Sequence, residues 1–457
     1  MENISNFVII YVRYPQVKNM IIDKASYDKL FATKFWSKLN ESIVPFTDKP
    51  IDKTKYLDAL YNQIQDFTYS PSPPREYIVY NKHNGISRYV PTFERKDYCV
   101  YYLCVKLLEN EIAVNRVEGT YGGWTLGNPI RLKEEQELLE LDYIPFNTIN
   151  ELSWATEWRS FQGIARRYKE IDDFKYFINL DIANFYDTIN LTILERKLRH
   201  IVPKNKQEVV TLLMHFLHGW NKRLEGYSPK TIGIPQDEIG DISRILANFY
   251  LQDYDQYMSE VCKNYGAKFI RFADDQIIFA KSKEDARKIL FEASKHLFKI
   301  NLNLNSGKVN EFDSKQAFEQ YWAFEIFDLL LDKEDEKKIN EAIKLFFEFK
   351  ENNIYFRDYS VLKRFLSINV DLISAEHKHK LLSIYYNVDF LSTLDLWHFR
   401  RIRKLANNDN EFFELLDGLI PTALFNSYHY QLLRFYTKDR NSEKTEEIMK
   451  RINELRT

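Results

Sequence analysis

The sequence predicts an α+β chain whose C-terminal part is all-α. Short apolar runs of strand length (Phe174–Leu180, Lys268–Phe272, Gln276–Ala280) alternate with stretches of helical periodicity in the middle of the chain. An Asn84-Gly85 pair separates two β-like runs, Glu76–Tyr80 and Ile86–Pro91, the strongest short-range signal for a hairpin. Beyond about Leu331 nearly every segment repeats apolar residues at a 3.6-residue period, as in Ile339, Ile343, Phe346 and Phe347. Several antiparallel helices follow from that pattern, stacked as in a helical repeat.

The remaining elements fall between these landmarks. Ser70-Pro71-Ser72-Pro73-Pro74 forbids helix ahead of the hairpin. Arg95 to Ile112 reads as a helix, with Tyr98, Tyr101, Tyr102 and Val105 on one face. Gly119–Pro129 gathers four glycines and reads as a loop; helix returns from Trp154 to Tyr168. The Phe174–Leu180 strand ends at Asp181, and Leu191 to about Leu217 reads as one helical stretch. Gly233-Ile234-Pro235-Gln236 interrupts, and Ile242, Ile245, Leu246, Phe249 and Tyr250 mark the next helix. Two apolar runs flank Ala273-Asp274-Asp275 as a second hairpin, and Ser282 with Asp285 caps the helix after it.

Composition narrows the class. The 457 residues carry 64 Lys+Arg against 66 Asp+Glu, so any nucleic-acid surface must be local rather than global. At 45% hydrophobic and 28% charged, the chain is neither disordered nor fibrous. No apolar run is long enough to span a bilayer, and the start lacks a secretory pattern. Three cysteines cannot frame a disulfide scaffold, which suits a reducing compartment.

Three acids stand out by context. Asp181 ends a buried strand, and Asp274-Asp275 occupies a hairpin tip. In most proteins an Asp-Asp tip is a turn former, and a lone Asp after a strand is a helix cap. Charge at the end of buried strands is otherwise costly unless a cation meets it. Convergence on Mg²⁺, which takes hard oxygen ligands, is the economical alternative.

The segments DIANFYDTI (181–189), GIPQ with SRILANFYL (233–251), FADD (272–275) and LNLNSGKV (302–309) occur in that order. They resemble motifs A, B, C and D of the reverse transcriptase palm, and NKHNGISRYVP (81–91) resembles the fingers hairpin of that family. The resemblance covers about residues 75–330. It implies a right-hand arrangement: an N-terminal extension and fingers over 1–170, a palm over 171–330, and an α-helical C-terminal domain over 331–457. By matching position it implies Asp181, Asp274 and Asp275, with the Ile182 carbonyl, as ligands of two Mg²⁺ ions (or Mn²⁺). Tyr186 would be the steric gate that excludes a 2′-hydroxyl, and otherwise is one core aromatic among 30 tyrosines. Lys82 and Arg88 would hold the dNTP triphosphate, Gln236 would contact the nucleotide, and Lys308 would protonate the leaving pyrophosphate.

Motif B departs from the family. Asp237 replaces the expected glycine, and Ser243 lies seven residues after Gln236 rather than five. That puts the template-base and nucleotide contacts in doubt.

GTYGGWTLGN (119–128) and SWATEWRSF (153–161) resemble finger segments of bacterial defence-associated reverse transcriptases of the abortive-infection and "unknown group" type. That narrower resemblance implies a bacterial cytoplasmic enzyme of anti-phage defence. It also implies homo-oligomers and either an RNA template, including a non-coding RNA, or DNA joined covalently to a tyrosine. Arg400, Arg401, Arg403 and Lys404 form a basic cluster on a C-terminal helix, with Phe399 and Ile402 expected inward. They are candidates for phosphate contacts or simply a solvated rim. The alternatives are a template-independent deoxynucleotidyl transferase and a non-catalytic defence scaffold.

Overall fold

A computed structural model describes residues 22–31, 33–46, 51–82, 85–127, 131–133, 139, 141–143, 154–221, 233–236, 242–407, 409–439 and 444–455. The strands are β1 (Glu76–Asn81), β2 (Ser87–Thr92), β3 (Thr120–Tyr121), β4 (Arg131–Leu132), β5 (Leu141–Tyr143), β6 (Tyr176–Leu180), β7 (Lys268–Phe272), β8 (Asp275–Ala280) and β9 (Asn310–Phe312). A five-stranded sheet runs β3-β7-β8-β6-β9, with β3 parallel to β7 and every other pair antiparallel. The first hairpin, β1-β2, stands apart from it.

The central strands are apolar on both faces because both faces are covered. Ile178, Leu180 and Ile278 point into a core with Tyr254, Met258, Ile289 and Leu297 from the helices Gln252–Asn264 and Lys283–Lys299. Phe177, Ile277 and Phe279 point the other way, against Phe161 of the Trp154–Glu170 helix and against Phe318 and Trp322. This period-two sorting fixes the register: Leu180 pairs with Gln276, so Asp181 emerges beside the β7-β8 turn.

Two sequence expectations change. Gly119–Pro129 is not loop throughout, because Thr120 and Tyr121 form the edge strand β3. Two residues are too few to show a period, and the pairing is held by Arg271 N to Gly119 O (3.0 Å) and Ala273 N to Tyr121 O (3.2 Å). The expected helix from 191 to 217 is two, Leu191–Ile201 and Gln207–Gly219, separated by Val202-Pro203 and a tight turn over Lys204–Lys206. Pro203 has no N–H to continue the ladder, and the Gln207 amide covers the Val202 carbonyl at 2.7 Å.

The C-terminal part is helical from Glu336–Glu351 through Thr445–Glu454. Its core takes in apolar residues from Ala323 onward together with Ile78 and Val90 of the first hairpin. Asn426 docks on β1 like a strand: its Oδ1 accepts from Val79 N at 2.6 Å, and its Nδ2 donates to Tyr77 O at 3.0 Å. An edge that would otherwise expose backbone donors and acceptors is thereby closed. Among the described residues no helix is long and apolar enough to cross a membrane.

Beneath the β7-β8 turn lies a fully buried ion pair. Arg271 meets Asp255 in a bidentate pair along one guanidinium edge, Nε at 2.6 Å and an Nη at 2.5 Å. Its other Nη reaches Asn248 Oδ1 (2.9 Å) and the Ala273 carbonyl (2.7 Å). Burial raises the Asp255 carboxyl pKa despite Arg271 beside it. Arg271→Met should therefore cost about 3–5 kcal/mol in a urea titration, since it strands Asp255. Adding Asp255→Leu should recover part of that loss.

Candidate active site

The β7-β8 turn is tight, with Ala273 in the left-handed region at φ 52. Three contacts hold it there: Arg271 to its carbonyl, Tyr121 O from its N–H, and Gly122 packed under it. A Cβ on Gly122 would lie 3.0 Å from Ala273 N and 3.1 Å from Asn248 Nδ2, at a φ of 125 that itself favours glycine. The turn presents Asp274 and Asp275 beside the end of β6.

Asp181, 5% exposed, directly follows β6 and is fixed by the bridging segment 303–305 on its other side. Asn305 N donates to the Asp181 carbonyl at 2.8 Å, and Ala183 N to Asn303 O at 2.8 Å. In this antiparallel pattern Ile182, opposite Leu304, makes neither bond, so its carbonyl turns to the β8 side where the other two acids lie. The Asp181 carboxylate accepts from Asn305 Nδ2 (3.1 Å) and Lys308 Nζ (3.1 Å). Asp275 faces Arg357 at 3.7 Å.

Burial, and after it the crowding of like charge, sets the electrostatics of these acids. The Asp274 pKa is pushed up to about 6, by burial first and then by the charges of Asp275 and Asp181. Asp275 is also raised, by burial, with Arg357 opposing. Among the described residues the acids do not close into a ready-made cage, since Asp181 is drawn to Lys308 and Asp275 to Arg357. The donor set nonetheless fits a hard divalent cation: carboxylates, one free-facing carbonyl, and a repulsion that positive charge would relieve.

On the first hairpin, Lys82 leaves β1, its N–H closing the hairpin on Ile86 O at 2.7 Å. Its pKa is lowered, by desolvation and by the neighbouring charges of Arg88 and Lys308, while Asp181 and Asp274 pull it upward. Lys82 and Lys308 are thus brought within electrostatic reach of the acids, and Arg88 within reach of Lys82. Arg88 is half-buried on β2, opposite Tyr80. Asn84 of the turn lies outside the described residues.

Tyr186 sits in a one-turn helix, Phe185–Thr188, half-buried against the main core with its ring 5.5 Å from that of Phe185. Gln236 is half-buried in the short described segment 233–236; Asp237 lies outside the described residues. Ser243 is 1% exposed, its hydroxyl 2.8 Å from that of Tyr101 in the core. The basic cluster on the Leu396–Ala406 helix is largely engaged within the protein. Arg401 donates to the carbonyls of Leu366 and Ile368, Lys404 pairs with Asp371, and Arg403 lies over the Phe413 ring. Phe399 and Ile402 are buried as expected.

Two site residues had no individual signal in the sequence. Asn305 lies within LNLNSGKV but carries no mark of its own. Arg357 comes from the C-terminal helices, braced over Trp322 at 4.5 Å and Trp158 at 5.7 Å. No spacing rule links it to Asp275.

Residues 132–324 match the reverse transcriptase (RNA-dependent DNA polymerase) family. No curated protein matches the chain. Similar solved structures include Candida tropicalis telomerase with the TWJ fragment of telomeric RNA, 11% identical with a TM-score of 0.37, covering 88% of this chain and 68% of that one. Candida albicans telomerase with the same kind of fragment is 11% identical with a TM-score of 0.36, covering 92% and 69%. Apo telomerase from Candida tropicalis is 14% identical with a TM-score of 0.34, covering 95% and 76%.

The raised Asp274 has a consequence for stability. With a folded pKa of about 6 against an ordinary 3.8, the folded chain holds a proton that the unfolded chain has released. Stability from this group is fully present below about pH 4 and is lost as pH rises through about 6. Asp274→Asn should therefore raise metal-free stability at about pH 7.5 by about 1–2 kcal/mol, and by about pH 4 the two proteins should unfold alike.

Proposed function

We propose that this chain, whose residues 132–324 form the reverse transcriptase domain of an RNA-directed DNA polymerase, extends DNA from dNTPs at the Asp181–Asp274–Asp275 centre. One juxtaposition carries the reading: three acids crowded at one strand end, faced by Lys82 and Lys308, with Arg88 beside Lys82. Acids alone would repel a triphosphate, and cations alone would not hold a metal. Together they frame a metal-bound triphosphate.

Asp181, Asp274 and the Ile182 carbonyl would hold divalent cations, with Asp275 assisting. A pair of Mg²⁺ ions, when bound, activates the attacking 3′-hydroxyl and stabilises the leaving pyrophosphate. Arg88 offers a planar fork and Lys82 a point charge to the phosphate oxygens. Lys308, in contact with Asp181, exchanges that carboxylate for the pyrophosphate oxygen and delivers its proton there. Tyr186 lies under the sugar and leaves no room for a 2′-hydroxyl. Gln236 borders the nucleotide from the loop 233–236.

The finer assignment is to bacterial phage defence, with a co-purifying RNA template or a tyrosine-primed product, in a homo-oligomer. It rests on the resemblance of 119–128 and 153–161 to defence-associated enzymes and on the helical C-terminal part. Template-independent deoxynucleotidyl transfer is the second reading. It is favoured by Ser243, whose hydroxyl is bonded to Tyr101 in the core rather than offered to a nascent pair.

Full-length protein supplied with RNA template, primer, Mg²⁺ and dNTPs should make DNA complementary to that RNA. Asp274→Asn should lower the rate at least about a thousandfold, the several kcal/mol that metal charge stabilisation supplies. Product unrelated to any added or co-purified RNA would select the second reading; unaltered activity in Asp274→Asn would sink both. Tyr186→Ala should raise ribonucleotide use relative to deoxynucleotide by up to about 100-fold, the range of a pocket that rejects one hydroxyl by shape.

A further inference from the structure

The loop before Gln236 presses directly on the backbone that carries Tyr186. A Cβ at Gly233 would lie 1.9 Å from the Tyr186 carbonyl oxygen, with the Asp187 carbonyl carbon and oxygen at 2.8 and 2.9 Å. The obstacles are backbone atoms, so no rotamer relieves the clash. Ile234 N then donates to that same Tyr186 oxygen at 3.1 Å. Behind the loop, Trp220 Nε1 donates to the Gly233 carbonyl at 3.3 Å. Trp220 is 2% exposed and Ile234 fully buried, so the support is rigid.

The segment it supports has little rigidity of its own. Phe185–Thr188 is a single turn, entered through Asn184 in the left-handed region at φ 47. One turn is too short to fix its own position. Contacts from Trp220 through Gly233 and Ile234 to the Tyr186 carbonyl supply what the turn lacks.

We propose that Gly233, backed by Trp220, sets how deeply Tyr186 stands in the sugar pocket and so determines discrimination between deoxyribo- and ribonucleotides. The inference rests on the reading of Tyr186 as the sugar gate. Gly233 is a positioning residue that acts through the Tyr186 backbone. Any side chain at 233 must displace either the loop or the gate, and loss of the Trp220 hydrogen bond frees the loop to recede.

The test is the ratio of kcat/KM for a dNTP to that for its rNTP, on full-length protein. Trp220→Phe keeps an aromatic ring in the core and removes the N–H together with part of the indole. It should lower the ratio by about tenfold, the scale of one lost neutral hydrogen bond. Gly233→Ala should lower it at least as far, and Trp220→Phe keeps the question open to refutation if that variant fails to fold. A fall in either folded variant supports the inference, since a merely structural role would reduce use of both sugars alike. Tyr186→Ala is measured alongside. If it changes the ratio while both other variants keep the wild-type value, the role of Gly233 is refuted and the gate stands. If Tyr186→Ala leaves the ratio unchanged, the gate fails and this inference with it.

Discussion

Three carboxylates held at one end of an antiparallel strand pair repel one another, and much of the surrounding structure is what keeps them there. The Leu180–Gln276 register puts Asp181 level with the β7-β8 turn. The buried Arg271–Asp255 pair, with Asn248, clamps the turn from below. Lys308 and Asn305 take up the Asp181 carboxylate, and Arg357 faces Asp275. A buried ion pair of this kind is weak evidence for net stability. Its value here lies in geometry, because Arg271 also holds the Ala273 carbonyl of a turn whose φ is positive.

The C-terminal helices are part of this arrangement rather than an appendage. At one end Asn426 completes the β1 edge of the hairpin that carries Lys82 and Arg88. At the other, Arg357 reaches the β7-β8 turn across two tryptophans. The same helical body therefore touches both the hairpin that carries Lys82 and Arg88 and the turn that carries Asp274 and Asp275. Much of its apparent basic surface is turned to internal use: Arg401 ties down two carbonyls and Lys404 pairs with Asp371.

What was legible in the sequence follows from how far each signal reaches. The Asn84-Gly85 hairpin, the apolar runs flanking Asp274-Asp275 and the Ser282 cap are local, and each appears where its residues lie. Asp181 was conspicuous because a charge after five buried residues demands an explanation. The β3 strand was not, since two residues show no period and its glycines read as loop. The helix break at Pro203 was visible in principle, and continuing apolar periodicity on both sides concealed it. Arg357, Asn305 and the tie between Gly233 and Tyr186 depend on tertiary contacts that no pattern along the chain encodes.

The proposed chemistry requires these acids to share divalent cations with a nucleotide. Counting bound Mn²⁺ by electron paramagnetic resonance, with a dNTP present, examines that claim without depending on turnover. Tight Mn²⁺ uptake by the native chain, lost in Asp181→Asn and in Asp274→Asn while both variants remain folded, is the result expected. Equal Mn²⁺ uptake by all three proteins would contradict it.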